Sequence, residues 1–282
     1  MAFDAVKYKE TTRQQWQDAA EAWNAWGVFL EQWLGPATET MLDMANVGHG
    51  SHVLDVAAGA GQQSLTAARR VGSSGRVLAT DISPDILDYA LENARIEGLT
   101  NLETLEADSE KLDLPPNSFD AAISRVGLIY FPDQQTALAN IMSALKPGGR
   151  FAAIVYSTPE KNGFFSNPVS IIREKAKLPP PLPGQPGPFS LGEPGKLAEL
   201  LSRAGFRNVQ EKVISAPVVL PTAADCLRFE RESFGAMHQM LSGLSADEQQ
   251  AAWADIGEAL SDFETEKGFE GPCELVVAAG TK

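Results

Sequence analysis

A glycine loop set between a strand and a helix limits this chain more than any other feature. Val53-Leu54-Asp55-Val56 reads as a short buried strand. Ala57-Ala58-Gly59-Ala60-Gly61 follows it, and residues 62–71 read as a helix. Glycine at such a turn lets a ligand approach the backbone, because no Cβ stands in the way. The helix start adds free N–H groups and positive dipole, which favour an anionic group. A tight turn without a ligand uses the same residues, so the loop takes its meaning from its surroundings.

Those surroundings repeat the alternation. Residues 77–79, 121–124 and 151–156 read as buried strands, and residues 84–97 and 133–145 as helices. Ser83-Pro84 is a helix N-cap followed by proline at the first helical position. Pro132-Asp133 starts the next helix, and Lys146-Pro147-Gly148-Gly149 ends it. Residues 192–205 predict a helix ending at Gly205, and residues 209–220 and 273–279 a final pair of strands. Strands alternating with helices predict an α/β fold, a doubly wound and mostly parallel sheet covered on both faces.

Two stretches read as covers. Trp16, Ala19, Ala20, Trp23, Trp26, Leu30, Trp33 and Leu34 recur at steps of three and four, the stripe of one helix over residues 11–34. Such a stripe packs on the body of the protein, and over a pocket it also forms a wall. The fifty residues 221–270 are too long for an ordinary loop and predict a largely helical cap. The chain thus divides into an N-terminal helical cover over 1–45 and the α/β domain over 46–282. Cap inserts fall at about 157–190 and 221–270. Residues 179–188 hold six of the 18 prolines, which excludes helix and inner strand. A surface loop is the expectation there, with a polyproline ligand for a partner as the alternative.

Charge and composition remove several classes. The net charge of −14 opposes general affinity for nucleic acid or anionic membranes. The segment 221–270 alone carries eleven acids against three bases, so a nucleic-acid backbone would be repelled there. Two cysteines, Cys226 and Cys273, make no disulfide framework and suggest a reducing compartment. The three histidines have no cysteine cluster beside them, so no metal site is expected. The N-terminus lacks a signal-peptide pattern, and no apolar run is long enough to cross a bilayer. A cytoplasmic location without membrane insertion is the expectation, and no feature sets an oligomeric state.

Two nucleotide cofactors use such a loop. The dinucleotide fingerprint wants a third glycine where Ser64 stands, which counts against an oxidoreductase. Asp81 ends the second strand twenty residues after Gly61 and suits the ribose of either cofactor. The segment from Glu106-Ala107-Asp108-Ser109 through Leu114-Pro115-Pro116-Asn117-Ser118-Phe119-Asp120 discriminates. Taken in order, "VLDVAAGAGQQSL", "VLATDIS", "EADSEKLDLPPNSFDAAISR" and "ALKPGGRFA" span about residues 51–156. With them the chain resembles the class I S-adenosylmethionine-dependent methyltransferases. It is most similar to the ubiquinone/menaquinone-biosynthesis-like branch and its small-molecule relatives.

The resemblance implies a Rossmann-like seven-stranded fold, S-adenosylmethionine as cofactor and S-adenosylhomocysteine as product. It implies that the Gly59–Gly61 turn passes under the methionine moiety, with Asp55 facing its ammonium through a polar network. Asp81 would bind the ribose hydroxyls and Ile82 would lie on the adenine. Asp108 would accept the adenine amino group, with a Ser109 backbone contact beside it. Ser124 and Arg125 would line the sulfonium side. Ala57 stands where many members have glycine, and alanine fits there at negative φ.

The acceptor is narrowed by elimination. Enzymes that methylate amide or adenine nitrogens carry an Asn/Asp-Pro-Pro-aromatic turn where this chain has Ser124-Arg125-Val126-Gly127. No cysteine falls beside the site for cytosine-5 chemistry, and two are too few for arsenite. A small organic acceptor remains, methylated by in-line displacement. Its walls would be Trp23, Trp26, the segment from Leu128 to Phe131, and the insert with Phe234. His238, among Phe234, Met237, Met240 and Leu241, is a candidate base, and Tyr130 and Tyr156 are alternatives. Each of the three also reads as a packing residue. Two further readings stay open: an S-adenosylmethionine-binding enzyme of other chemistry, and a non-catalytic nucleotide-binding or interaction protein.

Overall fold

A computed structural model describes residues 3–182 and 184–282, so Pro183 of the proline-rich run lies outside the described residues. Three helices open the chain: α1 (Ala5–Asp18), α2 (Ala20–Ala25) and α3 (Gly27–Met44). The single helix expected over 11–34 breaks at Ala19 and Trp26, where ψ near zero opens the turn. The break has a packing cause. Helix α3 buries Leu30, Trp33, Leu34 and Met41, whereas α1 buries none of its residues completely. One straight rod could not lie on two such different surfaces.

The core then alternates: β1 (His52–Val56), α4 (Gln62–Val71), β2 (Arg76–Asp81), α5 (Pro84–Ile96), β3 (Leu102–Glu106), β4 (Phe119–Arg125), α6 (Gln134–Ala144) and β5 (Leu145–Tyr156). After α7 (Gly163–Lys175) and α8 (Lys196–Arg203) comes β6 (Arg207–Ser215). The last region holds β7 (Val218–Leu220), α9 (Ala223–Ser233), α10 (Gly235–Leu241), α11 (Ala246–Ser261), β8 (Glu264–Thr265), β9 (Gly268–Gly271) and β10 (Glu274–Thr281).

Seven strands form one sheet in the order β3-β2-β1-β4-β5-β10-β6. Strands β1 to β5 pair in parallel, and β10 runs antiparallel between β5 and β6. This is the doubly wound, mostly parallel sheet that the alternation predicts. Inner strands are legible because both faces are covered: Phe151 to Tyr156 are all buried. Strand β3 was not expected, since it is an edge strand in which Leu102 alone is buried. The strand expected over 209–220 is two. Ala216-Pro217 divides it, since proline has no N–H for the ladder, and β7 joins a small second sheet, β7-β9-β8. The expected helix over 192–205 begins at Lys196, and Gly205 beyond its end takes φ +98°.

Helix α3 packs against β5 and β10, which fixes the N-terminal segment to the sheet. Helices α9, α10 and α11 make a cap, and α9 packs on α2. Strand order reverses between β1 and β4, leaving a crevice at their carboxyl ends where ligands bind in such folds. Among the described residues, no helix is long and apolar enough to cross a membrane. No group of three or more His, Cys, Asp or Glu among them is arranged to hold a metal ion.

Candidate active site

A cavity opens at the carboxyl ends of β1, β2 and β4. Its floor is the glycine loop. Gly59 takes φ +58° and Gly61 φ +87°, conformations that glycine adopts without strain. Ala57 takes φ +58° as well, so the expected negative φ is wrong. Room for its methyl comes from Gly127, where an added Cβ would stand 2.4 Å from that of Ala57. Gly61 lies off the wall, and its role is packing: a Cβ there would stand 2.6 Å from the Ala90 Cβ on α5.

Asp81 closes the loop onto β2. The Gly59 N–H donates to its Oδ2 at 2.9 Å, and the Ser83 N–H to its Oδ1 at 3.1 Å. Burial raises its pKa, while the backbone donors at Ser83, Gly59 and Ile82 pull it down. Each oxygen accepts one of these bonds and keeps acceptor capacity, and Asp81 and Ile82 both line the cavity.

Asp55 lies beneath the floor, fully buried and off the wall. Ser64 Oγ donates to its Oδ2 at 2.5 Å and Gln63 Nε2 to its Oδ1 at 3.4 Å. Burial pushes the carboxyl pKa up to about 7, against the pull of Ser64, Gln63 and Arg125. Gln63 itself lines the cavity. Sequence reasoning missed both: Ser64 counted only as an absent glycine. The available signal was two polar residues in the first turn of α4, facing back at a strand-end acid.

Arg125 is buried and lines the cavity, and its Nη1 donates to Thr38 Oγ1 on α3 at 3.2 Å. Burial lowers its pKa to about 10, and Asp55 opposes that shift. A buried acid and a buried base of opposite sign thus share one end of the cavity. Ser124, expected beside Arg125 on the wall, is fully buried below it, where a Cβ on Gly127 would stand 3.1 Å from its Oγ. Its side chain points away because successive residues of a strand alternate faces.

At the other end Asp108 and Ser109 line the cavity. Asp108 Oδ1 accepts the Glu110 N–H at 3.0 Å, and its Oδ2 accepts Lys9 Nζ at 2.7 Å. Lys9 comes from α1, which nothing in the sequence placed here.

The roof is aromatic. Trp16 packs edge-on between Trp23 and Tyr130, at ring separations of 5.4 and 5.8 Å. Phe234 meets Trp23 at 5.8 Å, and Tyr156 stands on the far wall. Burial raises the pKa of both Tyr130 and Tyr156, so their hydroxyls keep their protons at neutral pH. Two expected wall residues are elsewhere. Trp26 faces the outer side, where its indole N–H donates to Glu232 at 2.8 Å and Arg228 lies over its ring. His238 is exposed, 2.6 Å from the Arg231 carbonyl oxygen and against Trp253. Met237 and Leu241 take the buried face of α10, and one residue on from Met237 the helix has turned about 100° away.

Residues 33–170 match the ubiE/COQ5 methyltransferase family. Over this segment, just under half of the chain, the protein is similar to the methyltransferases of that family. It is 36% identical over 119 residues to the ubiquinone/menaquinone biosynthesis C-methyltransferase UbiE of Cronobacter sakazakii, covering 42% of this chain and 47% of that one. It is 31% identical over 185 residues to an uncharacterized protein of Mycobacterium tuberculosis, covering 64% of this chain and 65% of the relative. The chain therefore spans less than two thirds of the length of these curated relatives. In fold, the chain is similar to the YcgJ protein of Bacillus subtilis, with a TM-score of 0.60 and 18% identity over 88% of this chain and 98% of that one. The matched residues 33–170 contain Asp55, Gly59, Asp81, Asp108 and Arg125, but neither α1 nor the cap.

Proposed function

We propose that this protein transfers a methyl group from S-adenosylmethionine to a small organic acceptor. The observation that carries the reading is the Asp81 carboxylate, anchored by two backbone N–H groups at the strand switch point with acceptor capacity left over. Two vicinal hydroxyls are the natural complement of such a carboxylate. The rest of the cavity fits the cofactor. Asp55 and Arg125 carry the charges that complement the ammonium and carboxylate of an amino acid, with Gln63 relaying the first. Asp108 offers a carboxylate to an exocyclic amino group, and Ile82 an apolar face to a base.

Bound there, S-adenosylmethionine supplies an electrophilic methyl group for in-line displacement. The chain's own part is positioning and exclusion of water. Trp16, Trp23, Tyr130 and Phe234 hold an acceptor against the sulfonium end, and α1 closes the mouth above them. Tyr130 and Tyr156, held protonated, donate hydrogen bonds to the acceptor and are not bases. The similarity to UbiE, a C-methyltransferase of ubiquinone/menaquinone biosynthesis, supports a small organic acceptor here.

Calorimetric titration with S-adenosylhomocysteine tests the cofactor reading. Binding is expected, with Asp81→Ala weakening it at least roughly tenfold, the scale of losing a charge-assisted hydrogen bond. Absence of binding at millimolar ligand rejects it. Release of S-adenosylhomocysteine across a panel of small acceptors tests transfer, and product without an added methyl group would assign other chemistry to the same cofactor.

A further inference from the structure

Helix α9 buries two polar side chains that have no hydrogen-bond partner among the described residues. Glu230 is 0% exposed, and neither carboxylate oxygen makes a hydrogen bond. Ser233 is 1% exposed, and its Oγ is equally unpartnered. Three residues apart, the two lie on one face of the helix. No salt bridge among the described residues reaches Glu230. The basic residues of the same helix are engaged elsewhere, Arg228 over Trp26 and Arg231 over Trp253.

A buried carboxyl without a donor costs stability, and native proteins rarely keep one without a use. Its position suggests the use. Helix α9 ends at Phe234, whose N–H donates to the Glu230 carbonyl at 3.0 Å and whose ring lines the cavity. The pair therefore sits one turn behind the cap wall. The titratable groups facing Glu230 are Cys226, one turn earlier on α9, and Tyr156 of β5, which also lines the cavity. Phe229 and Phe165, packed on Trp23 and Phe234, make the surroundings apolar and aromatic.

We propose that Glu230 and Ser233 are the inner end of the acceptor site and hold a hydroxyl or ammonium group on an otherwise apolar, ring-bearing acceptor. A carboxyl with no internal donor is complemented by a ligand N–H or O–H, and the Ser233 hydroxyl can complete the bond. Phe234 lines the cavity one turn from Glu230, and its rotation would join the pair to the cavity. An acceptor lacking the donor would leave Glu230 unpaired, and this asymmetry selects strongly against it. The inference rests on the methyltransferase reading for the identity of the cavity.

The test measures binding of phenol, benzylamine and toluene by ligand-observed NMR, on protein saturated with S-adenosylhomocysteine. Phenol or benzylamine is expected to bind at least roughly tenfold tighter than toluene. The preference should fall in Glu230→Gln and Ser233→Ala and vanish in Glu230→Leu. Affinity for S-adenosylhomocysteine should stay within about twofold in all three variants. Glu230→Leu should melt no lower than the parent protein, because it removes an unpaired buried carboxyl. Equal binding of the three probes, or a preference that survives Glu230→Leu, overturns the proposal. So does a fall in melting temperature in both Glu230 variants with the preference intact, which would assign the pair to a structural water. If S-adenosylhomocysteine does not bind at all, the methyltransferase reading fails, and the same probes on the free protein still judge Glu230.

Discussion

Lys9 Nζ lies 2.7 Å from Asp108 Oδ2, so the N-terminal helix is latched onto the carboxylate proposed to receive adenine. The same ammonium reaches Glu110 at 2.7 Å, and Arg13 pairs with Glu106 at 2.5 Å. With no fully buried residue, α1 is held by these pairs and by the edge-on packing of Trp16. Asp108 Oδ1 is already taken by the Glu110 N–H, so Lys9 occupies the one oxygen free of the backbone. Lys9→Met is therefore expected to tighten S-adenosylhomocysteine binding roughly two- to fivefold, the scale of a partly exposed ion pair. Raising KCl from roughly 0.05 to 0.5 M should tighten binding to the parent protein and leave the variant unchanged. Calorimetry at both salts checks this, and weaker binding by Lys9→Met rejects it.

Asp55 gives the site a pH dependence with a definite sign. Its ordinary value is 3.8 and burial raises it to about 7 in the folded state. The folded protein holds this proton to higher pH than the unfolded chain does. Its stabilising effect is complete below about pH 4 and is lost as pH rises through about 7, by up to ~4 kcal/mol. Asp55→Asn removes the ionisation. The melting temperature of the variant relative to the parent should be near zero at about pH 4 and several degrees positive at about pH 8. A ligand ammonium favours the ionised form, so binding of S-adenosylhomocysteine to the parent should weaken below about pH 7. Binding to the variant should be weak and flat. A pH-independent difference in melting temperature would contradict the assignment.

Much of this arrangement is legible in the sequence, for identifiable reasons. Asp81 and Gly59 announce themselves because a strand-end acid and a strand-to-helix glycine are local signals. Buried strands show as apolar runs, and helix α5 shows through Ser83-Pro84. Strand β3 does not, because an edge strand reading Leu-Glu-Thr-Leu-Glu buries Leu102 alone and displays no apolar run. Trp26 and His238 were misplaced for one reason. Period-3.6 patterns give a face only if the helix phase is known, and the breaks at Ala19 and Trp26 and the short α10 reset that phase. Lys9, Thr38 and Glu230 were missed because their significance comes from partners, or the lack of them, that fall far apart in the chain.

The corrected position of His238 changes an expectation about turnover. Its ring is exposed, tied to the Arg231 carbonyl and set against Trp253 on the outer side of α10. Once an acceptor is in hand, His238→Ala should leave kcat within about twofold and cost under ~1 kcal/mol of stability, as for a surface substitution. A large fall in kcat with unchanged affinity for S-adenosylhomocysteine would return the histidine to the site and require the cap to move.

Ala57 and Gly127 should behave as one unit. Ala57 sits at φ +58°, a strained conformation for a residue with a Cβ. An added Cβ at Gly127 would meet the Ala57 methyl at 2.4 Å and Ser124 Oγ at 3.1 Å. Gly127 itself has φ −89°, so alanine there is limited by space and not by its backbone. Gly127→Ala alone is expected to cost about 2–3 kcal/mol through overpacking. Ala57→Gly alone should be neutral or stabilising by up to about 1 kcal/mol, because relief of the left-handed strain offsets the lost methyl contact. In the Ala57→Gly background the main clash is gone, and Gly127→Ala should cost less than about 1 kcal/mol. Denaturant unfolding of the four proteins of this cycle measures the coupling, which should be at least ~1 kcal/mol. Additive effects would mean that the loop relaxes independently of β4, and the floor of the cavity would then be softer than this packing implies.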